Sequence, residues 1–191
     1  MMVAGVEEER RDVGAYEVSV VLPAYNEADM LERAVDAVEK RLRELGVSFE
    51  IIIAEDGSTD STYEIARRIA EEKDFVRLLH SDFRLGRGGA LKRAFKLASG
   101  ETLVYLDVDL ATDLKHLEEL INSVRLEGYD VATGSRLLPE SNAARTRKRK
   151  LMSVTFNFLV RVLLRSELRD HQCGFKAFKK SSLTKILGEV K

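Results

Sequence analysis

Apolar residues in this chain follow two rhythms, and the rhythms alternate. Continuous apolar runs of strand length stand at 16–23 (YEVSVVLP), 48–57 (SFEIIIAEDG), 75–81 (FVRLLHS) and 101–109 (ETLVYLDVD). Between them the spacing changes to that of a helix. In 27–45, Met30, Leu31, Ala34, Val35, Val38 and Leu42 recur on one face, and Gly46 follows as a stop. A second helix is predicted from about 61 to 72. A third opens at the glycine-rich turn LGRGG (85–89) and runs to Ala98, with Gly100 behind it. A helix around 113–127 and a strand within GYDVATGSR (128–136) continue the series. Such βαβ alternation predicts a mainly parallel sheet flanked by helices, a Rossmann-like α/β fold. Residues 1–15 read as a loose tail and 16–191 as one domain, with no internal repeat.

Composition narrows this picture. With 45% hydrophobic and 33% charged residues in 191, the chain can bury a core and is not of disordered type. A net charge of −1 argues against a general polyanion binder. Cys173 is the sole cysteine, which excludes an internal disulfide and suits a reducing compartment. The N-terminus turns acidic at once, unlike a signal peptide, and no apolar run of about 18 residues exists. The expectation is a cytoplasmic chain that does not cross a membrane.

Three predicted strands end in acids: Glu27 shortly after the first, Glu55 and Asp56 after the second, Asp107 and Asp109 after the fourth. In an open parallel sheet the carboxyl ends of the strands border the ligand crevice. Strand-end acids can instead cap the next helix, a role that suits Asp60 or Ser61, and Asp113. One cap does not use two acids, so Asp107 and Asp109 read differently. At i and i+2, beyond a strand, they can converge on Mg2+ or Mn2+ and leave positions open for phosphate oxygens. The glycines of 86–89 admit two readings, a tight strand-to-helix turn or exposed N–H groups facing phosphate. His80, His116 and His171 show no metal-ligand spacing and read as surface or packing residues.

The ordered set VVLPAYNEA, EDGSTDST, GRGGALKRAF, YLDVDL, GSR and DHQCGFKAFKK resembles family 2 glycosyltransferases of the GT-A fold, over about 18–180. Within them it is most similar to dolichyl-phosphate glucose and mannose synthases, and GRGGA and QCGFKAF lean toward the glucosyl branch. The resemblance implies hexose transfer from UDP-glucose or GDP-mannose to dolichyl or other polyprenyl phosphate, with inversion. It places Pro23, Tyr25 and Glu27 in the nucleotide loop and Asp56 against base or ribose. Glu55 stands where the family usually has Asp. Asp107 and Asp109 become the metal motif, with Asp109 the direct ligand. Arg87 is implied at the diphosphate and Arg136 near the transferred group. Arg149 and Ser153 resemble residues that hold the acceptor phosphate, with the register inside RTRKRK open by a residue or two. Asp170 matches an acid of the last motif.

The segment 144–165 joins a basic run, ARTRKRK, to an apolar helix, LMSVTFNFLVRVLLR. Basic residues beside an apolar helix can lie on an anionic lipid surface; a core-packed helix with solvated charges is the other reading. The expectation is an acceptor- and membrane-facing segment at about 137–168, peripheral to the cytoplasmic face. Aromatic residues do not interleave the basic run, so nucleic acid is not expected. Two alternatives stand beside lipid-phosphate transfer. One is a family 2 transferase with another acceptor, and the other is a nucleotide-sugar-binding module without turnover.

Overall fold

The computed structural model describes residues 16–135, 157, 160, 170 and 173–189. In chain order these form β1 (Val18–Ala24), α1 (Leu31–Leu45), β2 (Phe49–Glu55), α2 (Thr62–Glu72), β3 (Val76–Leu79), α3 (Arg87–Leu97) and β4 (Thr102–Leu106). A 3-10 turn (Leu114–His116), α4 (Leu117–Arg125), β5 (Val131–Thr133), β6 (Phe175–Lys179) and α5 (Lys180–Glu189) follow.

The strands make one sheet in the order β3-β2-β1-β4-β6-β5. β1 to β4 pair in parallel, whereas β6 lies antiparallel between β4 and β5. The expected mainly parallel α/β sheet is therefore present, with one reversed strand inside it. β6 was not foreseen as a strand. In FKAFK, Phe175 and Ala177 turn into the core while Lys176 and Phe178 are half-buried, so the alternation is carried by only two inward residues.

Each face of the sheet is covered by helices. On one, Val18, Val20, Leu22, Ile51 and Ile53 pack with the apolar stripes of α1, α2 and α4. On the other, Val21, Ile52, Ala54, Leu103 and Tyr105 pack with α3 and with Leu183 and Leu187 of α5. Because both faces are covered, β2 is buried at every position. α1 begins at Leu31 rather than Glu27, since residues 27–30 form a turn in which Met30 and Leu31 both donate to the Glu27 carbonyl. Gly46 ends α1 at φ 66°, as the sequence predicts.

Candidate active site

The sheet order creates a topological switch. β2 and β3 continue from one edge of β1 and β4 pairs with the other, so a crevice opens at the carboxyl ends of β1 and β4. β1 pairs with β4 only as far as Val21 and Tyr105, and with β2 as far as Ala24 and Glu55. Pro23 lies in that singly paired stretch, where an imino residue is tolerated.

Glu27 follows β1; Asp107 and Asp109 follow β4. Burial, then the charges of Asp109 and Asp107, push the Glu27 carboxyl above its ordinary range, while Arg87 opposes the shift. Glu27, Asp109, Asp107 and, last in order, Asp60 therefore share one field with Arg87. Asp107 Oδ1 accepts from the Tyr105 hydroxyl at 2.7 Å and lies 3.4 Å from Arg87 Nη1. Asp109 is exposed, and its Oδ1 accepts from the Ala111 N–H at 3.0 Å. Between it and Ala111, Leu110 adopts φ 47°, the left-handed bend that turns the chain out of the strand. Asp107, Asp109, Leu110, Thr112, Gly174 and Phe175 line the adjoining pocket. Asp113 takes the capping role expected of it, accepting from the Lys115 N–H.

Hydrogen bonds tie together the loops after β1, β2 and β3. Asn26, at φ 55°, donates its N–H to Ser58 Oγ and accepts from the Thr59 N–H. Thr62 Oγ1 accepts from the Glu27 N–H and donates to Asp60, which also accepts from the Thr62 N–H and so caps α2 in place of Ser61. Asp56 accepts from the N–H groups of Leu85 and Gly86, at 2.7 and 2.9 Å. The Glu55 side chain is fully buried, accepting from the Ser58 N–H and meeting His80 Nδ1. His80, read from sequence as surface or packing, is thus part of this frame, and its ring lies against Tyr63. The side chains of Glu55 and Asp56 point into loop structure. Tyr25 is half-buried under the Arg84 guanidinium, whose carbon lies 3.9 Å from the ring centroid.

Gly57 is where the β2 and β3 loops touch. It has φ 68°, and a Cβ there would lie 2.7 Å from the Phe83 carbonyl carbon and 2.8 Å from the Arg84 nitrogen. Gly57→Ala is expected to lower stability by about 2 kcal/mol, from left-handed strain and backbone overlap together. Chemical denaturation measures it; a loss below about 0.5 kcal/mol would show that the loops separate readily.

Of the sequence-predicted residues, the structure gathers Glu27, Arg87, Asp107 and Asp109 at the switch point. Pro23 and Glu55 lie near the carboxyl ends of β1 and β2, and Tyr25 and Asp56 in the loops that follow them. Arg136, Arg149, Ser153 and His171, most of the 137–168 segment and the 1–15 tail fall outside the described residues. Asp170 is buried, as is Cys173, which fits the small-hydrophobe reading. Sequence reasoning missed Tyr105, Gly174 and His80. The first two were legible in principle, as a tyrosine two positions before the acid pair and a glycine inside the last motif.

The chain belongs to glycosyl transferase family 2, whose family model matches residues 19–187. It is 54% identical over 188 residues to the glycosyltransferase AglD of Haloferax volcanii, covering 95% of this chain and 30% of that protein. It is 34% identical over 188 residues to the human dolichyl-phosphate beta-glucosyltransferase, covering 91% of this chain and 58% of that enzyme. The chain therefore spans less than two thirds of either relative. Among solved structures, the mannosyltransferase PcManGT from Pyrobaculum calidifontis, in complex with GDP-Man and Mn2+, superposes with a TM-score of 0.62 at 22% identity. That match covers 94% of this chain and 50% of the other and supports the GT-A fold.

Proposed function

We propose that this chain carries the donor-binding centre of a hexosyltransferase that moves glucose, or mannose as the second choice, from a nucleotide-diphosphate sugar to polyprenyl or dolichyl phosphate. The observation that carries this reading is the acid pair Asp107 and Asp109 at the end of β4, with Arg87 3.4 Å from Asp107 and with Glu27 close enough to feel both charges. The name of the human relative, a dolichyl-phosphate beta-glucosyltransferase, supports the acceptor and favours glucose.

Asp107 and Asp109 offer carboxylate oxygens of the kind a hard divalent cation, Mg2+ or Mn2+, takes. Among the described residues no group of three His, Cys, Asp or Glu side chains is placed to hold a metal ion, so oxygens of a bound diphosphate would have to complete the shell. Asp107 and Asp109 would hold the ion, which when bound neutralises the leaving diphosphate. Arg87, 65% exposed and hinged at the first turn of α3, is free to turn from Asp107 toward a phosphate. Tyr25 with Arg84, and the frame built by Asn26, Glu55, Asp56 and Ser58, would shape the nucleotide side.

The acceptor needs no strong base. A phosphate monoester has a second pKa near about 6, so its oxygen is already an anionic nucleophile at neutral pH. The remaining work is to bring two anions together and aim one at the anomeric carbon with inversion. Arg136, Arg149 and Ser153 are proposed to hold the acceptor phosphate. The basic run 144–150 is proposed to rest on an anionic membrane surface, peripheral and on the cytoplasmic side. Among the described residues no helix is long and apolar enough to cross a membrane.

Radiolabelled UDP-glucose and GDP-mannose, each with polyprenyl phosphate and Mn2+ or Mg2+, test the reading. Lipid-extractable label from UDP-glucose is the expected result. Label from GDP-mannose alone would reassign the sugar. Donor binding without label in either lipid or water-soluble product would reduce the chain to a binding module.

A further inference from the structure

The geometry points to Tyr105 as a positioning residue: its hydroxyl, together with the backbone of Gly174, holds Asp107 in one orientation at the donor centre. This rests on the reading of Asp107 and Asp109 as the metal-holding pair.

Tyr105 and Asp107 are two residues apart along the line of β4, so their side chains leave on the same side, toward α3. Tyr105 is 6% exposed, wedged among Val21, Ile52 and the α3 core, with the Lys176 ammonium 5.9 Å from its ring centroid. A ring packed this way cannot follow a moving carboxylate. Its hydroxyl reaches past the strand end and donates to Asp107 Oδ1 at 2.7 Å, while accepting from Arg87 Nη1 at 3.3 Å.

The other oxygen is confined from the opposite side. Gly174 stands across from Asp107, whose N–H donates to the Gly174 carbonyl at 3.1 Å and extends the β4–β6 pairing by one step. A Cβ on Gly174 would fall 1.7 Å from Asp107 Oδ2, so that oxygen occupies the space a side chain would need. This gives the glycine of the CGFKAF motif a physical reason: only a residue without Cβ lets the carboxylate lie against the backbone.

The contacts divide into permanent and exchangeable ones. Tyr105 and Gly174 are buried or backbone and remain in place. Arg87 is largely exposed and sits at a helix start, so it can leave when an incoming diphosphate competes for it. A carboxylate fixed beforehand loses no rotamer freedom on binding a cation, and partners that orient ligands in this way typically contribute about 10- to 100-fold in metal affinity.

The experiment is a Mn2+ titration followed by electron paramagnetic resonance of the free ion, with UDP and separately with GDP present. It compares the unaltered chain, Tyr105→Phe, Gly174→Ala and Asp109→Ala, with Phe178→Leu as a packing control. Phe178 stacks edge-on against Phe95 in the same layer and pairs with Leu103, four residues before Asp107. Thermal unfolding without metal is measured on each.

Tyr105→Phe is expected to bind Mn2+ about tenfold more weakly. Gly174→Ala is expected to bind at least as weakly, and Phe178→Leu to lose thermal stability with unchanged Mn2+ affinity. If the unaltered chain binds Mn2+, Asp109→Ala does not, and Tyr105→Phe stays within twofold, the positioning role is wrong while the metal reading survives. If the unaltered chain binds no Mn2+ with either nucleotide, both readings fall together.

Discussion

Asp109→Ala should eliminate transfer while leaving the fold as stable as before, or slightly more so. The carboxylate is exposed, and its one hydrogen bond among the described residues closes a short turn onto Ala111. Its removal opens no cavity and leaves no buried partner unpaired, the two usual sources of large stability losses. It does remove a like charge that acts on Glu27. Burial comes first among the causes that raise the Glu27 carboxyl, and Asp109 second. A carboxyl whose folded-state pKa is raised favours folding below its ordinary pKa and opposes it as pH rises through the raised value. At neutral pH, deleting Asp109 therefore relieves the folded state. Function moves the other way. If Asp107 and Asp109 hold the cation as proposed, losing one of the two acids weakens its hold where diphosphate charge would develop, and a rate loss of about 1,000-fold or more corresponds to about 4 kcal/mol. Thermal unfolding with and without Mn2+ plus nucleotide joins the two halves. Ligand binding should raise the midpoint of the unaltered chain and leave the variant where it was. Transfer within tenfold of the parent, with the Mn2+-induced shift intact, would remove Asp109 from the centre.

The position of the acid pair was readable because it breaks the local rule. Two acids at the end of an apolar run have no structural motive in the strand itself, so the sequence singles out Asp107 and Asp109 as candidates, and the fold sets them at the switch point. Parallel strands buried on both faces also announce themselves as unbroken apolar runs, which is why β1, β2, β3 and β4 were legible. β6 was harder, because a strand of FKAFK is short and reversed, and its register against β4 is a long-range choice. What the Glu55 and His80 side chains touch was illegible for a different reason. A carboxylate that faces a ligand and one that faces a neighbouring loop have the same sequence signature at a strand end. Only the fold shows that the Glu55 side chain is sealed behind Ser58 and His80. Asp56 likewise gives both oxygens to the backbone of 85 and 86.

Glu50→Ala is the converse case, a large stability loss at a residue far from the acids. Glu50 lies near the start of β2, at the opposite end of the strands, and its side chain is 1% exposed. Oε1 accepts from Ser19 Oγ and from the Ser99 N–H, both at 2.6 Å, and Oε2 accepts from Arg77 Nη1 at 3.1 Å. Arg77 also donates to the Leu97 carbonyl, and Ser19 Oγ accepts from the Gly100 N–H. One carboxylate thus fastens β1, β2 and β3 to the turn between α3 and β4. Gly100 closes the same knot, since a Cβ on it would lie 2.5 Å from the Ser19 nitrogen.

Alanine at 50 leaves the Arg77 guanidinium largely out of water without its counter-charge and the Ser99 N–H without its acceptor. Breaking a buried pair by removing one partner costs about 3–5 kcal/mol, against a typical total of about 5–15. For a chain of this size that is a fall of about 10 °C in midpoint. Glu50→Gln should cost less, because the amide oxygen can still accept from Ser99 while the charge opposite Arg77 is gone. Adding Arg77→Leu to Glu50→Ala should recover at least 1 kcal/mol relative to additive losses, since the stranded charge leaves with it. Denaturant titrations of the parent, Glu50→Ala, Glu50→Gln, Arg77→Leu and the double variant read all of this directly. A Glu50→Ala loss below about 1 kcal/mol would mean that water reaches the network and satisfies it. The folded fraction of Glu50→Ala should bind Mn2+ as the parent does, because the knot and the acids sit at opposite ends of the same strands. Asp109→Ala and Glu50→Ala thus separate what the strand ends are for: the amino ends hold the sheet together, and the carboxyl ends carry a charge excess that a bound cation would relieve.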